Sequence, residues 1–294
     1  MNALQLDGLG RRYGSKWALR DCTLEIPAGA VTALVGPNGA GKTTLLQMAV
    51  GLRRPSAGRV RVLGRDPQRE ARELLPRVGF VAQDHPLHRG FTVAETLRLG
   101  RRLNPSWDDE LAHQRVERLG LSLGHRVGKL SGGQQAQVAL TLALAKRPEL
   151  LLLDEPVASL DPLARREFLT ALMEAVSDGG LTVVLSSHLL ADLERVCDHI
   201  VILSRARTQL VGPIDEVVAS HRLLTAPRSD PASVARVHDV IRESHTERQT
   251  TLLVRANGHV YDATWQIHPV DLEEIVLAYL GYAPSGAVRE GVAG

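Results

Sequence analysis

Short apolar runs alternate with helical patterns along the first two hundred residues of the chain. Each run has the length of a β-strand and is bounded by helical or turn-forming residues. This alternation predicts an α/β fold, in which a mostly parallel sheet is flanked by helices. The runs lie at residues 31–35, 78–82, 150–153, 182–186 and 199–203.

Two earlier segments, residues 4–9 and 22–26, alternate more regularly between apolar and polar positions. The first segment carries a turn-forming residue at Gly8, and turn-forming residues at 27–29 follow the second. Regular alternation is typical of antiparallel strands that are buried on one face only. We therefore expect an antiparallel β flap beside the main sheet.

Between Gln83 and Lys146 the pattern changes from strands to helices. Residues 92–95 form a capping box ahead of an apolar run, which predicts a helix start. Further on, Asp161 is followed by Pro162, an N-cap residue with proline at the first helical position. The sequence thus predicts a helical insertion, at about residues 84–147, within one α/β domain that covers residues 1–216.

The character of the chain changes again after residue 216. We expect a strand at residues 221–226, a helix from Asp230 to Ser244, a hairpin at Asn257-Gly258 and an amphipathic helix at residues 270–280. These elements predict a small accessory α+β unit over residues 217–282. Residues 283–294, rich in Gly, Ala and Pro, are expected to be disordered.

Composition excludes several classes of function. The 294 residues carry a net charge of +2, which is too small to indicate a nucleic-acid-binding protein. No run approaches the roughly 18 apolar residues of a membrane-spanning helix, and the N-terminus has no secretory signal pattern. The two cysteines, Cys22 and Cys197, have no metal-binding spacing and indicate reduced core thiols. We expect a cytoplasmic protein.

A glycine-rich segment lies between the apolar run at residues 31–35 and a predicted helix. Glycines let backbone N–H groups approach phosphates closely, because side chains there would collide with them. Lys42 is placed to reach the outer phosphates, and the Thr43 hydroxyl is placed to bind Mg²⁺. The segment predicts a phosphate-binding loop made of Gly36, Pro37, Asn38, Gly39, Ala40, Gly41, Lys42, Thr43 and Thr44.

Two carboxylates follow the apolar run at residues 150–153. Burial of charge at a strand end is costly unless the charge has a partner, so packing alone does not explain Asp154 and Glu155. Asp154 suits a role in holding Mg²⁺, directly or through water. Glu155 is placed to accept a proton from an attacking water.

Two other polar side chains follow predicted strands of the same sheet. His188 comes after residues 182–187, and Gln83 comes after residues 78–82. A histidine alone in such a place is more often a core residue, but beside a phosphate loop it is placed to contact a γ-phosphate. The Gln83 amide could contact both Mg²⁺ and its water, whereas by itself it is an ordinary loop glutamine.

A second phosphate-facing element opens the helical run at residues 135–146. It presents a serine hydroxyl and bare backbone N–H groups at a helix N-terminus, an arrangement that favours an anion. Because the chain already has a complete phosphate loop, we expect this half-site to serve a nucleotide held by another copy of the protein or by a close relative. Its residues are Leu130, Ser131, Gly132, Gly133 and Gln134.

The order of these motifs resembles the ATP-binding cassette (ABC) ATPases, and specifically the nucleotide-binding subunits of ABC transporters. The resemblance covers roughly residues 3–216. It implies that Tyr13 stacks on adenine, that Gln83 is the Q-loop residue and that His188 is the switch histidine. It further implies that Asp161 belongs to the D-loop, and that Ser131 and Gly133 bind the γ-phosphate of ATP on the opposite subunit. One departure is that Gln135, Ala136 and Gln137 stand where the family often has arginines.

The resemblance implies ATP and Mg²⁺ as cofactors and ATP-driven dimerisation with a second copy or a paralogous subunit. It also implies an integral-membrane permease as a separate partner, through which this chain lies on the inner face of the cell membrane. It implies no nucleic-acid partner. The pattern at residues 271–277 resembles drug- and multidrug-export ATPases, which favours export. An importer subunit and a non-transport or regulatory ABC ATPase remain alternatives.

Overall fold

The computed structural model describes residues 1–187, 193–228, 230–258 and 264–281. They belong to two compact units, Met1–Pro213 and Ile214–Gly294. Among the described residues, no helix has both the length and the apolar character needed to cross a membrane.

The strands are β1 (Asn2–Tyr13), β2 (Lys16–Pro27), β3 (Val31–Val35), β4 (Ala57–Val62), β5 (Val78–Val81), β6 (Leu150–Asp154), β7 (Thr182–Ser187), β8 (His199–Ser204), β9 (Arg207–Pro213), β10 (His221–Pro227), β11 (Asp239–His245), β12 (Gln249–Arg255) and β13 (Gln266–His268). The helices are α1 (Lys42–Ala49), α2 (Ala71–Leu74), α3 (Val93–Leu103), α4 (Asp109–Arg118), α5 (Gly132–Ala145), α6 (Pro162–Ser177), α7 (Ile214–Ser220), α8 (Ala232–Ala235) and α9 (Leu272–Gly281).

The central sheet of the first unit has the strand order β5-β6-β7-β3-β8-β9. All neighbours are parallel except β9, which pairs antiparallel with β8. Every residue of β3, β6 and β7 is buried, as expected for strands covered on both faces. The predicted α/β fold with a mostly parallel sheet is confirmed.

Parallel pairing brings the segments that carry the predicted chemistry to one edge of this sheet. The loop after β3, Gln83 after β5 and Glu155 after β6 all follow the carboxyl ends of parallel strands. Strand β7 lies between β6 and β3, and its Ser186 is in register with Asp154. In open α/β sheets, ligands bind at this edge.

A separate antiparallel sheet, ordered β2-β1-β4, confirms the predicted β flap. Apolar side chains of β1, such as Leu4 and Leu6, share one buried cluster with Leu46 of α1 and with Leu150 and Leu152 of β6. The main core of the unit therefore lies between the two sheets. Because α1 is part of that core, the phosphate loop that precedes it is anchored on both sides.

The helical insertion contains α3, α4 and α5 and has a small apolar cluster that includes Val93, Leu97 and Val116. Helix α3 begins at the predicted capping box, in which Thr92 and Glu95 exchange hydrogen bonds. The N-cap of α4 is Asp108, whose carboxylate accepts a hydrogen bond from the backbone N–H of Leu111. Side-chain capping thus sets where these helices begin.

The second unit contains an antiparallel sheet ordered β11-β12-β10-β13. The predicted strand at residues 221–226 is found as β10, and the predicted last helix is found as α9. The predicted helix from Asp230 to Ser244 is wrong, because only α8 is helical and residues 239–245 form β11. Pairing of β11 with β12, which continues on both sides of a register shift at Ile241, outweighs the local helical pattern, and the β-branched Val240 and Ile241 suit a strand.

The hairpin predicted at Asn257-Gly258 is also wrong. Strand β12, which precedes this dipeptide, already pairs with β11 on one side and β10 on the other. The next described strand, β13, pairs with β10 and not with β12, so the two strands on either side of the dipeptide do not form a hairpin. Gly258 does have a positive φ of 103°. The tail expected to be disordered, residues 283–294, lies outside the described residues.

A buried histidine begins strand β10 of the second unit. His221 is fully buried, with Nδ1 2.6 Å from the Val217 carbonyl and Nε2 3.0 Å from the Tyr279 hydroxyl. Burial lowers the pKa of His221, and the charges of Arg255 and Arg222 lower it further, against the opposing effect of the Val217 carbonyl. The folded unit therefore binds this proton less readily than the unfolded chain.

We expect the second unit to be fully stable above the unfolded-state pKa of about 6.5 and to lose stability as the pH falls below it. Hydrogen exchange of β10 amides, corrected for the intrinsic effect of pH, measures this loss. His221→Gln should reduce the pH dependence, because it removes the buried imidazole. Identical pH dependence in wild type and His221→Gln would contradict the assignment.

Candidate functional site

The loop between β3 and α1 is shaped by glycines that no larger residue can replace without strain. A Cβ atom at Gly36 would lie 2.4 Å from the Leu203 carbonyl oxygen in β8. Gly41, the N-cap of α1, has a φ of 107°, and a Cβ there would lie 2.5 Å from the Ala18 carbonyl oxygen. The loop backbone is therefore packed directly against neighbouring strands, which fixes the direction of its N–H groups.

We expect Gly36→Ala to lower the free energy of unfolding by about 1–3 kcal/mol, because the added methyl group collides with strand backbone. Gly132→Ala is the matched control, since a Cβ there meets nothing within 4 Å. Urea unfolding measures both variants. Equal stability of Gly36→Ala and Gly132→Ala would show that β8 yields easily at this point.

Lys42 is almost completely buried at the start of α1, with 5% of its side chain exposed. Its Nζ donates to the Gly36 carbonyl at 2.6 Å and lies 3.0 Å from Oε1 of Glu155. The ion pair neutralises both charges in a poorly solvated place. A phosphate that reaches Lys42 therefore competes with Glu155 for the same ammonium group.

Asp154 lies at the end of β6 and is 1% exposed. Its Oδ1 accepts hydrogen bonds from Thr43 at 3.2 Å and from Ser186 at 3.0 Å. Burial raises the pKa of Asp154 above its ordinary value and Glu155 raises it further, whereas the two hydrogen bonds and the charge of Lys42 lower it. Asp154 is thus held firmly against the hydroxyl of the phosphate loop.

Glu155 has a positive φ of 46°, which is rare for a residue with a side chain. Its backbone N–H donates to the Ser186 hydroxyl at 2.8 Å. The same hydroxyl donates to Asp154, so one serine of β7 holds both carboxylate residues in place. The strained backbone directs the Glu155 side chain toward Lys42 instead of along the strand.

A cavity of about 480 Å³ lies over the phosphate loop, a volume suited to a small-molecule ligand. Tyr13 and Gln83, both predicted site residues, line it together with Glu155. The Tyr13 ring is 43% exposed and lies 4.8 Å from the guanidinium carbon of Arg11. The loop residues that line it are Asn38, Gly39, Ala40, Gly41, Lys42, Thr43 and Thr44.

Four residues of the site were not found from the sequence. Lys16, Trp17 and Ala18 line the cavity because they begin β2, just across the tight turn from Tyr13 at the end of β1. Ser186 was missed because its role depends on β7 lying beside β6, and strand order is not written in the local pattern. The signal for the first three was their closeness to Tyr13 in the sequence.

The second phosphate-facing element lies elsewhere, at the start of α5. Ser131 is the N-cap, and its Oγ accepts from the Gln134 N–H at 3.2 Å while the Gln134 side chain accepts from the Ser131 N–H. Ser131 is exposed, and its hydroxyl keeps a hydrogen that it can donate. A Cβ at Gly133 would lie 2.8 Å from the Cβ of Ala164, so close packing against α6 requires that glycine.

Asp161 is the N-cap of α6, and its Oδ1 accepts from the N–H groups of Leu163 and Ala164 at 3.0 Å. Among the described residues that line the cavity over the phosphate loop, none is Asp161 or belongs to residues 130–134. His188, the remaining predicted site residue, lies outside the residues that the structure describes.

The donors near the phosphate loop suit Mg²⁺. The Thr43 hydroxyl and the Asp154 carboxylate are 3.2 Å apart, and both offer the oxygen ligands that this hard cation prefers. Mg²⁺ is usually held by one or two protein carboxylates or hydroxyls together with substrate phosphates and waters. Thr43 and Asp154 are therefore the residues that would hold it.

The family model and the similar proteins all point to one family. The family model described as ABC transporter matches residues 19–158. The sulfate/thiosulfate import ATP-binding protein CysA of Yersinia pseudotuberculosis is 36% identical over 225 residues, which cover 73% of this chain and 61% of that protein. The Nod factor export ATP-binding protein I of Rhizobium johnstonii is 36% identical over 210 residues, which cover 70% of this chain and 67% of that protein.

The chain thus matches less than two thirds of the length of CysA. Among solved structures, cbiO1 from Clostridium perfringens, described as part of the ABC transporter complex cbiONQ, is similar with a TM-score of 0.64 and 29% identity. The match covers 74% of this chain and 91% of cbiO1. With the phosphate loop, the carboxylate pair and these relatives in agreement, the chain belongs to the ATP-binding proteins of the ABC transporter family.

Proposed function

We propose that this chain binds and hydrolyses ATP as part of a dimer, and that closing the dimer drives transport through a separate membrane permease. Two ATP molecules lie between two subunits. Each ATP is held by Lys42 and Thr43 of one subunit and by Ser131 and Gly133 of the other. The second subunit is another copy of the chain or a paralogue.

The observation that carries this proposal is the incomplete lining of the cavity over the phosphate loop. It contains Tyr13, Gln83, Lys42 and Glu155, but no described lining residue comes from the element at residues 130–134. Ser131 and Gly132 of that element are nevertheless exposed, and they present a serine hydroxyl and the N–H groups of a helix N-terminus. A second subunit supplies the simplest way to bring both elements to one phosphate.

Each residue around the cavity has its own role in binding or hydrolysing ATP. Lys42 and the loop N–H groups bind the outer phosphates, and Tyr13 stacks on the adenine. Glu155 accepts a proton from the attacking water, which Gln83 and His188 orient. Bound Mg²⁺ would neutralise charge on the phosphates. Asp154 and Ser186 keep Thr43 and Glu155 in position, as their hydrogen bonds indicate.

The proposed transport partner is an integral-membrane permease, with this chain at the inner face of the membrane. The similarity to cbiO1, described as part of a transporter complex, supports a multi-subunit assembly. Leu99 and Leu103 lie one turn apart on α3 and are 43% and 71% exposed. This pair, within the helical insertion, is where we place the main permease contact, next to the segment around Gln83.

We expect Leu103→Asp to abolish co-purification of the permease with the tagged chain from detergent-solubilised membranes. Leu52→Asp is the matched control, because Leu52 is 65% exposed but lies outside the helical insertion. The isolated chain should keep its ATP binding in both variants. Normal permease recovery with Leu103→Asp would show that the permease contact does not depend on this part of α3. Failure of the wild type to recover any multi-spanning protein would contradict a transport role.

For direction we propose export. The apolar and acidic pattern at residues 271–277, which forms most of α9, carries this choice, and the relative named for Nod factor export supports it. The similarly related CysA is named for import, so import is the competing function. Many importers depend on an external solute-binding protein. ATPase activity of the permease complex that rises severalfold on adding such a protein would overturn export.

A further inference from the structure

A second cavity of about 490 Å³ lies between α4, α5 and α6. It shares no lining residue with the cavity over the phosphate loop. Its volume falls in the range of small-molecule sites. The charged and amide side chains that line it are Arg115, Arg118, Gln137, Arg166, Glu167 and Glu174.

Arg115 is the most unusual of these side chains, because only 8% of it is exposed. Its Nε donates to the Thr141 hydroxyl at 3.3 Å. Among the described residues no ion pair joins a carboxylate to Arg115, and the nearby Glu174 pairs with Arg118 at 3.5 Å. Burial lowers the pKa of Arg115 and the charge of Glu174 raises it, but a guanidinium keeps its charge in proteins. A buried cation therefore lines this cavity, with the charge of Glu174 beyond ion-pair distance.

Gln137 lies in the same cavity wall and is 4% exposed. Its side-chain oxygen is buried and has no hydrogen-bond partner within the described part of the chain. Leaving a buried amide oxygen unpaired costs about 1–3 kcal/mol, so such groups normally have a partner. The amide can turn by 180° and present either a donor or an acceptor to the cavity.

The cavity is also accessible. A larger neighbouring cavity of about 1430 Å³ shares five lining residues with it. The shared set includes Arg115 and Arg166, and the larger cavity adds Arg147, Arg165 and Arg195 to the arginines. A ligand that enters through the larger cavity meets a surface with more arginines than carboxylates. Such a surface raises the local concentration of anions.

We propose that the cavity between α4, α5 and α6 binds a small phosphorylated metabolite. One arginine satisfies a planar carboxylate through two parallel hydrogen bonds, whereas a tetrahedral phosphate has enough oxygens for several guanidinium groups. Arg115, Arg118 and Arg166 supply those groups, and the Gln137 amide, turned by 180°, donates its N–H to a phosphate oxygen. The cavity is much larger than a free phosphate ion, so the remainder holds the rest of the metabolite.

A ligand in this cavity would affect the predicted ATP-contacting residues Ser131 and Asp161 through two helices. Helix α5 begins directly after Ser131, and helix α6 begins directly after Asp161. A ligand that bridges Gln137 of α5 and Arg166 of α6 fixes these helices relative to each other. It does so without touching the cavity over the phosphate loop.

Equilibrium dialysis of the full chain with labelled inorganic phosphate tests the site. A saturating, non-hydrolysable ATP analogue with Mg²⁺ keeps phosphate out of the loop at residues 36–44, and chloride holds the ionic strength constant. We expect Arg115→Gln and Arg166→Gln to weaken phosphate binding about tenfold or more, since each removes a charge-assisted hydrogen bond. Arg166 is exposed, so its variant remains informative if Arg115→Gln fails to fold.

Arg101→Gln is the matched control, because Arg101 pairs with Asp109 and does not line the cavity. It should bind phosphate as the wild type does. Glycerol 3-phosphate should bind more tightly than inorganic phosphate, since it fills more of the cavity. Absence of phosphate binding by the wild type, unchanged binding by Arg166→Gln, or weaker binding of the ester would each overturn the proposal.

Discussion

Glu155→Gln is expected to reduce the rate of ATP hydrolysis by about 10³-fold while leaving ATP binding intact. The substitution keeps the shape of the side chain but removes the carboxylate that would take a proton from the attacking water, and general-base catalysis contributes about 10²- to 10⁴-fold. The backbone N–H of residue 155 still donates to Ser186, so the turn after β6 is preserved. Phosphate release under saturating ATP measures the rate.

The affinity of Glu155→Gln for ATP should not fall with the rate of hydrolysis. Lys42 lies 3.0 Å from Oε1 of Glu155, and incoming phosphates must compete for that ammonium group. A neutral glutamine competes less well than a carboxylate, so ATP should bind Glu155→Gln as tightly as the wild type or more tightly. Titration with a fluorescent ATP analogue tests this.

The control is Glu117→Gln, at an exposed residue of α4. It should hydrolyse and bind ATP like the wild type. If Glu155→Gln lost no more activity than Glu117→Gln, the general base would have to be another group. If Glu155→Gln instead lost ATP binding, the carboxylate would be needed to hold the site together.

Ser131→Asp is expected to weaken ATP-dependent dimerisation by about a hundredfold or more. The variant replaces a hydroxyl that would donate to the γ-phosphate by a carboxylate that repels it, and a lost hydrogen bond to a charged group alone costs about 1.5–3 kcal/mol. Aspartate remains a good N-cap and suits the positive end of a helix, so α5 should begin at the same residue. Sedimentation velocity with ATP in the Glu155→Gln background measures the dimer.

Two comparisons separate this effect from a damaged helix. Ser131→Thr keeps both the cap and the hydroxyl, so it should dimerise nearly as well as the parent. ATP binding to the monomer of Ser131→Asp should be normal, because Ser131 does not line the cavity over the phosphate loop. A normal ATP-dependent dimer of Ser131→Asp would remove Ser131 from the shared site.

The parts of the fold that local pattern determines were predicted well. The phosphate loop, the β flap and the helix starts at Thr92 and Asp161 are each specified by neighbouring residues, through glycine conformations and side-chain caps. Pairing partners were harder to predict. Residues 239–245 form β11 because they pair with β12, and a local helical pattern cannot reveal that partner.

In the candidate site, too, the features set by neighbouring residues could be predicted and those set by strand pairing could not. Lys42 and Thr43 lie in one continuous motif, and their positions relative to the loop follow from it. Ser186 is 31 residues from Glu155 in sequence, and its contacts with the two carboxylate residues exist only because β6 and β7 are neighbours. The positive φ of Glu155 was likewise invisible in the sequence, although it sets the direction of the side chain.

A mixing experiment tests most directly whether each ATP is held by two subunits. Lys42→Ala removes the phosphate-loop lysine, and Ser131→Asp removes the element that would face the partner's ATP. Both are made in the Glu155→Gln background, and neither alone should dimerise with ATP. In a mixed dimer, the intact loop of the Ser131→Asp subunit meets the intact Ser131 of the Lys42→Ala subunit. We predict that mixing restores ATP-dependent association through one complete site, whereas a mixture that stays as monomeric as its separate components would contradict the shared site.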